Sequence, residues 1–451
     1  MIIEQWEDKN LSHFSYAVLD ESTSKIVLID PARNPEPYLD FAKQHEAKII
    51  GIIETHPHAD FVSGHLEISL ATGADIYVSK LVQAEYTHKS FDEGDKIETG
   101  ELTFHAFNTP GHSPDSLSIV LEENDEQKVV FTGDTLFIGD CGRPDLREGA
   151  GKITATRESL AKQMYHSLRD KLLPLANNII VYPAHGAGSL CGKALSKAES
   201  STMGAEKLTN WCLQPLSEES FVKELLQDQP VIPAYFGYDV DLNRKGAPAF
   251  LEGIENISIG KAITGPLDAA RLDKSLVIVD ARNEKNFKAS YLPGSINVME
   301  GLKFETWLGS IIKPGERFYL AATGDEQIAK LLPRIATIGY EPFVAEVFVL
   351  EAGSEEMSAF ELENFRAHQE AYTIVDVRNP TEVKEKKTFA SSLAIPLGEL
   401  RDRINEIPLN KTVVVHCAAG YRSAAGSSIV NSMLGDRVKV LDFGEDIQQF
   451  S

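Results

Sequence analysis

Residues 47–61 read AKIIGIIETHPHADF. An apolar run of strand character ends directly on His56, His58 and Asp60, three side chains with metal-ligating atoms at alternate positions. Imidazole and carboxylate groups on one such turn can converge on a single cation. The same form, an apolar strand and then a polar, glycine-containing tip, recurs at VVFTGDTLF (129–137) and NIIVYPAHG (178–186). α/β scaffolds carry their chemistry at strand ends of this kind.

Three more pieces join the first. TPGHSPDS (109–116) puts His112 in a Gly/Pro turn, and the tips of the two later strands carry Asp134 and His185. A lone histidine at a strand tip is usually a solvated loop residue. Three such tips plus an HxHxD turn point instead to one metal constellation.

The chain around this constellation has 451 residues, enough for two to four domains at ~100–200 residues each. It is 43% hydrophobic and 25% charged, as a globular protein is. The net charge of −23 argues against nucleic acid or an anionic membrane as partner. MIIEQWEDKN has no basic leader, and no run approaches the ~18 apolar residues of a membrane span, so a cytoplasmic protein is expected. The four cysteines, at positions 141, 191, 212 and 417, form neither a disulfide framework nor a CxxC pair. Helical patterns occur at PYLDFAKQHEA, ATRESLAKQMYHSLRDKLL and SSTMGAEKLTNWCLQ, while 231–255 read as an irregular domain tail and linker.

In their order and spacing THPHAD, TPGHS, GDTLF and YPAHG resemble the metallo-β-lactamase superfamily, and within it the glyoxalase II and persulfide dioxygenase branch. The resemblance covers about the first 250 residues and implies an αββα sandwich with the metal between two sheets. One departure matters. The superfamily motif is HxHxDH, and Phe61 stands where the last histidine would be. A second metal loses a ligand there. What remains is His56, His112 and Asp134, two imidazoles and a carboxylate, the set that suits non-haem Fe(II). The persulfide dioxygenases it resembles hold one iron per chain on the matching residues.

On that reading His58, Asp60 and His185 orient ligands or shape the pocket. Arg143 and Asp145, in FIGDCGRPDLREG, are expected to line the pocket mouth, where the guanidinium would pair a substrate carboxylate; the alternative is a mutual ion pair. Tyr182 contacts substrate or belongs to the core. Cys191 is a buried thiol or accepts sulfur beside the metal.

Beyond residue 255 the chain repeats itself. LVIVDARNEKNF, from 276, matches YTIVDVRNPTEV, from 372, and RFYLAATGDEQIAKLL aligns with TVVVHCAAGYRSAAGS downstream. Each copy is ~95 residues and reads strand, Asp-x-Arg turn, helix, strand, loop, helix, a parallel α/β pattern. In the last copy Cys417 ends an apolar strand and Arg422 closes the loop before a helix. The N–H groups of Ala418, Ala419, Gly420 and Tyr421 would form an anion cradle, and with Arg422 they would favour a thiolate. This loop and IVDVRNPTE resemble the rhodanese sulfurtransferases. Their phosphatase relatives have C-x5-R, whereas C-x4-R here makes the tighter ring that suits sulfur. KTFASSLAIPL is a poor match to the segment that usually follows the DVR motif. The middle copy has Ala322 for the cysteine and Gln327 for the arginine, so it resembles an inactive rhodanese.

The chain is therefore read as α/β multidomain: a metallo-β-lactamase-fold domain over 1–255, an inactive rhodanese-like domain over 256–353 and an active one over 354–451, the last two with parallel sheets. That order resembles bacterial persulfide dioxygenase–sulfurtransferase fusions. The resemblance implies O₂-dependent oxidation of a low-molecular-weight thiol persulfide to sulfite, and transfer of sulfur through Cys417 to give thiosulfate, in sulfide detoxification. The rival reading is a glyoxalase II-like zinc thioester hydrolase fused to a sulfurtransferase. A non-catalytic sulfur carrier or scaffold is a third, against which the intact Cys417 loop speaks. The particular thiol stays open, as does the assembly, with which a homodimer or higher homo-oligomer is compatible.

Overall fold

The computed structural model describes residues 1–148, 155–193 and 195–450. The chain forms two compact units, the first built on Met1–Gln229 and Tyr235–Glu252, the second on Gly253–Ala336 and 340–450.

The first unit holds two six-stranded mixed sheets, one of β1 (Ile2–Asp8), β2 (His13–Asp20), β3 (Lys25–Ile29), β4 (Lys48–Ile53), β5 (Asp75–Val78) and β6 (Lys89–Ser90) in that order, the other of β7 (Lys96–Thr99), β8 (Leu102–Asn108), β9 (Leu117–Glu123), β10 (Glu126–Gly133), β11 (Ile180–Pro183) and β12 (Ser201–Thr202) in that order. The strands that matter for the site are β2, β3, β4, β9, β10 and β11. β3 and β4 pair in parallel, as do β10 and β11, so β4, β10 and β11 each end on one of the polar tips seen in the sequence. Apolar side chains from both sheets, among them Tyr16, Val27, Ile53, Phe104, Ile119 and Phe131, form a core between the sheets. A second core seals the outer face of the first sheet with Tyr38, Phe41 and Ile68 of the helices Glu36–Gln44 and His65–Thr72. A third packs Ala161, Met164, Phe221 and Leu225 of the helices Arg157–His166 and Glu218–Leu226 on the other sheet. The layers are helix, sheet, sheet, helix, the expected sandwich.

The segment read as irregular is not so. It contains the helices Phe236–Lys245 and Phe250–Glu255. Pro233, Gly246 and Pro248 flank the helices, Gly237 and Gly253 sit within them, and Phe236, Asp239, Val240, Asn243 and Arg244 bury one face of the first. That face mixes apolar and polar groups, so its helical period is hard to see in the sequence.

The second unit contains two four-stranded, all-parallel sheets with one topology, β14 (Ser295–Asn297)-β13 (Val277–Asp280)-β15 (Phe318–Ala322)-β16 (Val344–Val349) and β18 (Leu393–Ala394)-β17 (Tyr372–Asp376)-β19 (Thr412–His416)-β20 (Val440–Asp442). The repeated VDAR and VDVR segments end β13 (Val277–Asp280) and β17 (Tyr372–Asp376). Asp280 and Arg282 pair through a buried bidentate contact, and Asp376 with Arg378 does the same. Among the described residues no helix is long and apolar enough to cross a membrane.

Candidate metal centre and cysteine loop

His56 and His58 follow β4, His112 lies in the turn before β9, and Asp134 and His185 follow β10 and β11. All five are buried. His112 Nε2 lies 3.3 Å from Asp134 Oδ2, and His56 Nε2 lies 3.8 Å from the same oxygen. Both rings are held by their other nitrogen. His112 Nδ1 donates to the Arg143 carbonyl at 2.9 Å. His56 Nδ1 lies 3.0 Å from Thr55 Oγ1, whose proton goes to Asp30 Oδ2 at 2.8 Å. Each Nε2 therefore keeps its lone pair facing Asp134. Burial holds His56 well below the usual imidazole pKa and lowers His112 as well, so both rings are neutral, as metal ligands must be.

Neither Asp134 oxygen has a hydrogen-bond partner of ordinary geometry among the described residues, although the carboxylate is wholly buried. A buried carboxylate in that position is costly unless a cation meets it. The residues fit a divalent metal: one atom from each of His56, His112 and Asp134 lies within 4.8 Å of the others. His58, Asp60 and His185 converge within the same limit. His185 Nε2 bridges the two groups, 3.5 Å from Asp134 and 3.6 Å from Asp60.

His58 turns to the carboxylates beneath the site, with Nε2 3.2 Å from Asp30 and 3.8 Å from Glu54. Burial opposes its protonation, but the two carboxylates outweigh it and hold its pKa up to about 9. Phe61 is buried with its ring centroid 3.9 Å from that of His13 and 4.3 Å from that of His58. An aromatic stack thus stands where the superfamily's third motif histidine would be.

The other expected residues divide. Cys191 is at the site, its sulfur within 4.8 Å of Asp134 and His185 ligand atoms. Burial, then Asp60 and Asp134, push its pKa well up, so it is a thiol. Arg143 and Asp145 do not line an open mouth. Both are buried and form a bidentate pair at 2.7 and 2.6 Å. A guanidinium shut away from water is kept where its carboxylate reaches it, and the mutual pair is what the structure contains. Tyr182 lies in the core stack, its ring nearly parallel to Phe131 at 5.7 Å. The sequence reading missed Asn243, whose Nδ2 donates to the carbonyls of His58 and Phe61 while its Oδ1 accepts the Ser63 N–H. It missed Arg147 too, buried in a bidentate pair with Asp115, its charge helping to lower both His56 and His112. An asparagine inside an unrecognised helix and one arginine among several carry no local signal.

In the second unit Cys417 ends β19 (Thr412–His416) and is 2% exposed. The Gly420 N–H donates to its sulfur at 3.2 Å. Gly420 takes φ +104°, a value other residues rarely adopt, and the helix Tyr421–Leu434 starts after it. Ala418 and Ala419 are exposed at the loop crest. The Tyr421 hydroxyl donates to the Met299 carbonyl at 2.7 Å. Arg422 makes a bidentate pair with Glu382. In the middle copy Ala322 is buried and Gln327 fills the loop: its Oε1 accepts from Thr323 N–H and Oγ1, and its Nε2 donates to the Ala281 carbonyl.

Comparison with known proteins agrees with this division. Residues 10–185 match the metallo-beta-lactamase superfamily, and residues 266–360 and 361–445 each match the rhodanese-like domain. The mitochondrial persulfide dioxygenase ETHE1 of Mus musculus is 30% identical over 225 residues, 49% of this chain and 79% of the mouse protein. The cytoplasmic hydroxyacylglutathione hydrolase of Arabidopsis thaliana is 32% identical over 38% of this chain and 63% of its own. The crystal structure of a metallo-beta-lactamase from Staphylococcus aureus subsp. aureus COL, 28% identical, superposes over 77% of this chain and 98% of that one with a TM-score of 0.67.

Proposed function

We propose, from the premise that this chain belongs to the persulfide dioxygenase family of the metallo-beta-lactamase superfamily and carries two rhodanese-like domains, that it oxidises a low-molecular-weight thiol persulfide to sulfite and joins sulfite to a second sulfur as thiosulfate. Persulfide, dioxygen and water give thiol, sulfite and two protons, which balances atoms and charge. The observation that carries this reading is the donor set. Two neutral imidazoles and an orphaned buried carboxylate converge, and Phe61 replaces the imidazole that a second metal would need.

His56, His112 and Asp134 would hold one Fe(II) per chain. An iron held there would supply the activation of dioxygen. The protein's own groups do the rest. The Arg143 carbonyl and Thr55 keep the two rings in the tautomer that presents Nε2. Phe61, buried against His13 and His58, excludes water on its side of the site. Cys191, protonated and beside Asp134, is a donor to a sulfur anion in the site.

In the last rhodanese-like domain Cys417 takes the outer sulfur of a persulfide. The Cys417 thiolate forms the new S–S bond and the donor thiolate leaves. The Gly420 N–H and the helix N-terminus behind it stabilise the anionic sulfur. Sulfite then removes that sulfur as thiosulfate. The physiological task on this reading is sulfide detoxification, in the cytoplasm, with sulfite and thiosulfate as the small-molecule partners.

One observation favours a second reading. His58, Asp60 and His185 also converge, as a second metal would require, which keeps a two-metal thioester hydrolase in view. Anaerobically purified protein separates the two. One iron per chain with O₂ uptake on glutathione persulfide is the expected result. Two zinc ions with thioester cleavage and no O₂ uptake would sink the dioxygenase reading.

A further inference from the structure

Arg422 does not stand free at the Cys417 loop. Both of its terminal nitrogens are taken by Glu382, at 2.5 and 2.7 Å. Glu382 belongs to the first turn of the helix Pro380–Glu385 and closes a capping box there, accepting the Asn379 N–H at 3.0 Å. One carboxylate thus caps its own helix and grips the guanidinium. The arginine side chain is 16% exposed and the glutamate 34%, so water reaches the pair on the carboxylate side. Burial works against the Glu382 anion, but Arg422, then the Asn379 N–H and Arg378, outweigh it and lower its pKa. Across the pair the positive charge is largely cancelled.

The internal repeat supplies an independent observation. In the middle copy Gln327 stands where Arg422 is, and Asn286 stands where Glu382 is. The same copy keeps Asp280 and Arg282 in the geometry of Asp376 and Arg378. The copy without the nucleophile has lost the glutamate together with the arginine, and has kept the ion pair that both folds use. Glu382 therefore goes with the chemistry of the loop and not with the fold.

We infer that Glu382 sets the affinity of the Cys417 site for its anionic acceptor: it is the ligand that incoming sulfite must displace from the Arg422 guanidinium. The inference rests on Cys417 being the sulfur carrier. A guanidinium fork binds one oxyanion bidentately at a time, and sulfite offers the same pair of oxygens as a carboxylate. Displacement leaves Arg422 paired throughout, so no desolvated cation is exposed. The sulfite lone pair then attacks the outer sulfur of the Cys417 persulfide. The S–S bond breaks, its electron pair returns to Cys417, the proton of the outer sulfur goes with it, and thiosulfate leaves as Glu382 closes again on Arg422. Glu382 touches no reacting sulfur and is a positioning residue.

The test uses the full-length protein, with glutathione persulfide as donor and two acceptors, the dianion sulfite and neutral dithiothreitol. Glu382→Gln should lower the KM for sulfite about threefold to fivefold, the weight of a half-exposed ion pair, with its kcat and the kinetics of dithiothreitol unchanged. Glu382→Asp, which keeps the charge, should lie between the two. The middle copy folds with an amide at this position, so the Gln variant is expected to fold; should it not, the Asp variant alone decides by the same comparison of acceptors. A sulfite KM that is unchanged or raised, or an equal change for both acceptors, overturns the inference. Cys417→Ser, run in parallel, isolates the premise: transfer that persists without the thiol refutes the sulfur-carrier reading and leaves Glu382 aside.

Discussion

The carbonyl oxygen of Arg143 accepts the Nδ1 proton of His112 at 2.9 Å, so the orientation of a candidate metal ligand depends on where the chain runs at Arg143. That course is fixed by the buried bidentate pair of Arg143 with Asp145. Asp145→Asn should therefore act twice. Taking the opposite charge away from the buried guanidinium should destabilise the first unit by about 3–5 kcal/mol. Freeing the carbonyl should weaken metal binding about 10- to 100-fold. Urea unfolding and competition with a chelator measure the two effects separately.

His56→Ala should abolish metal loading and O₂ uptake while sulfur transfer through Cys417 continues. Phe61→His should do the opposite and raise the metal content towards two ions per chain, since Asp60 and His185 already converge. Elemental analysis of the variants after anaerobic reconstitution checks both. A Phe61→His protein that still binds a single ion would contradict the role given to Phe61.

The two classes of buried histidine give opposite pH responses in metal-free protein. His58 is held up to about 9 by Asp30 and Glu54. Its contribution is complete below its unfolded value near 6.5 and is lost as pH rises through about 9, roughly 3 kcal/mol in all. His56 and His112 are lowered by burial, so their contribution is complete above 6.5 and falls away as pH drops below it. Melting temperatures across pH 5–10 should show a loss on each side, and His58→Asn should shrink the alkaline limb to the part carried by Glu54, whose carboxyl burial raises to about 8. An alkaline limb of undiminished size in that variant would refute the assignment.

Cys417→Ser should leave O₂ uptake intact and shift the product from thiosulfate to sulfite. The measurement is product analysis by ion chromatography after one round of persulfide consumption. An unchanged thiosulfate yield would show that the two reactions are not coupled through this residue.

Much of this was legible in the sequence, because strand-end motifs combine two strong signals. An apolar run fixes the strand, and the candidate ligands follow at set spacing, so the convergence of His56, His112 and Asp134 could be expected before any contact was seen. The repeat was legible because VDAR and VDVR share one offset with the two loops. Three kinds of residue were not. Arg143 was expected at an open mouth, since a sequence shows that a cation is near a site but not which carboxylate closes on it. Asn243 lay in a segment whose buried face is half polar, which hides the helical period. Tyr182 could be core or contact on its residue type alone, and only its stack on Phe131 decides.

The Gln327 side chain satisfies the middle loop from within, through Thr323 and Ala281. That makes the cysteine and arginine missing from this copy hard to restore in one step. Ala322→Cys alone would place a thiol at the strand end, but the amide would still occupy the donors that a persulfide sulfur needs. Gln327→Arg alone would vacate the loop with no nucleophile to use it, and with Asn286 in place of a carboxylate to receive the guanidinium. Each single change is neutral or harmful by itself, so the middle copy sits behind a mutational barrier at least two substitutions wide.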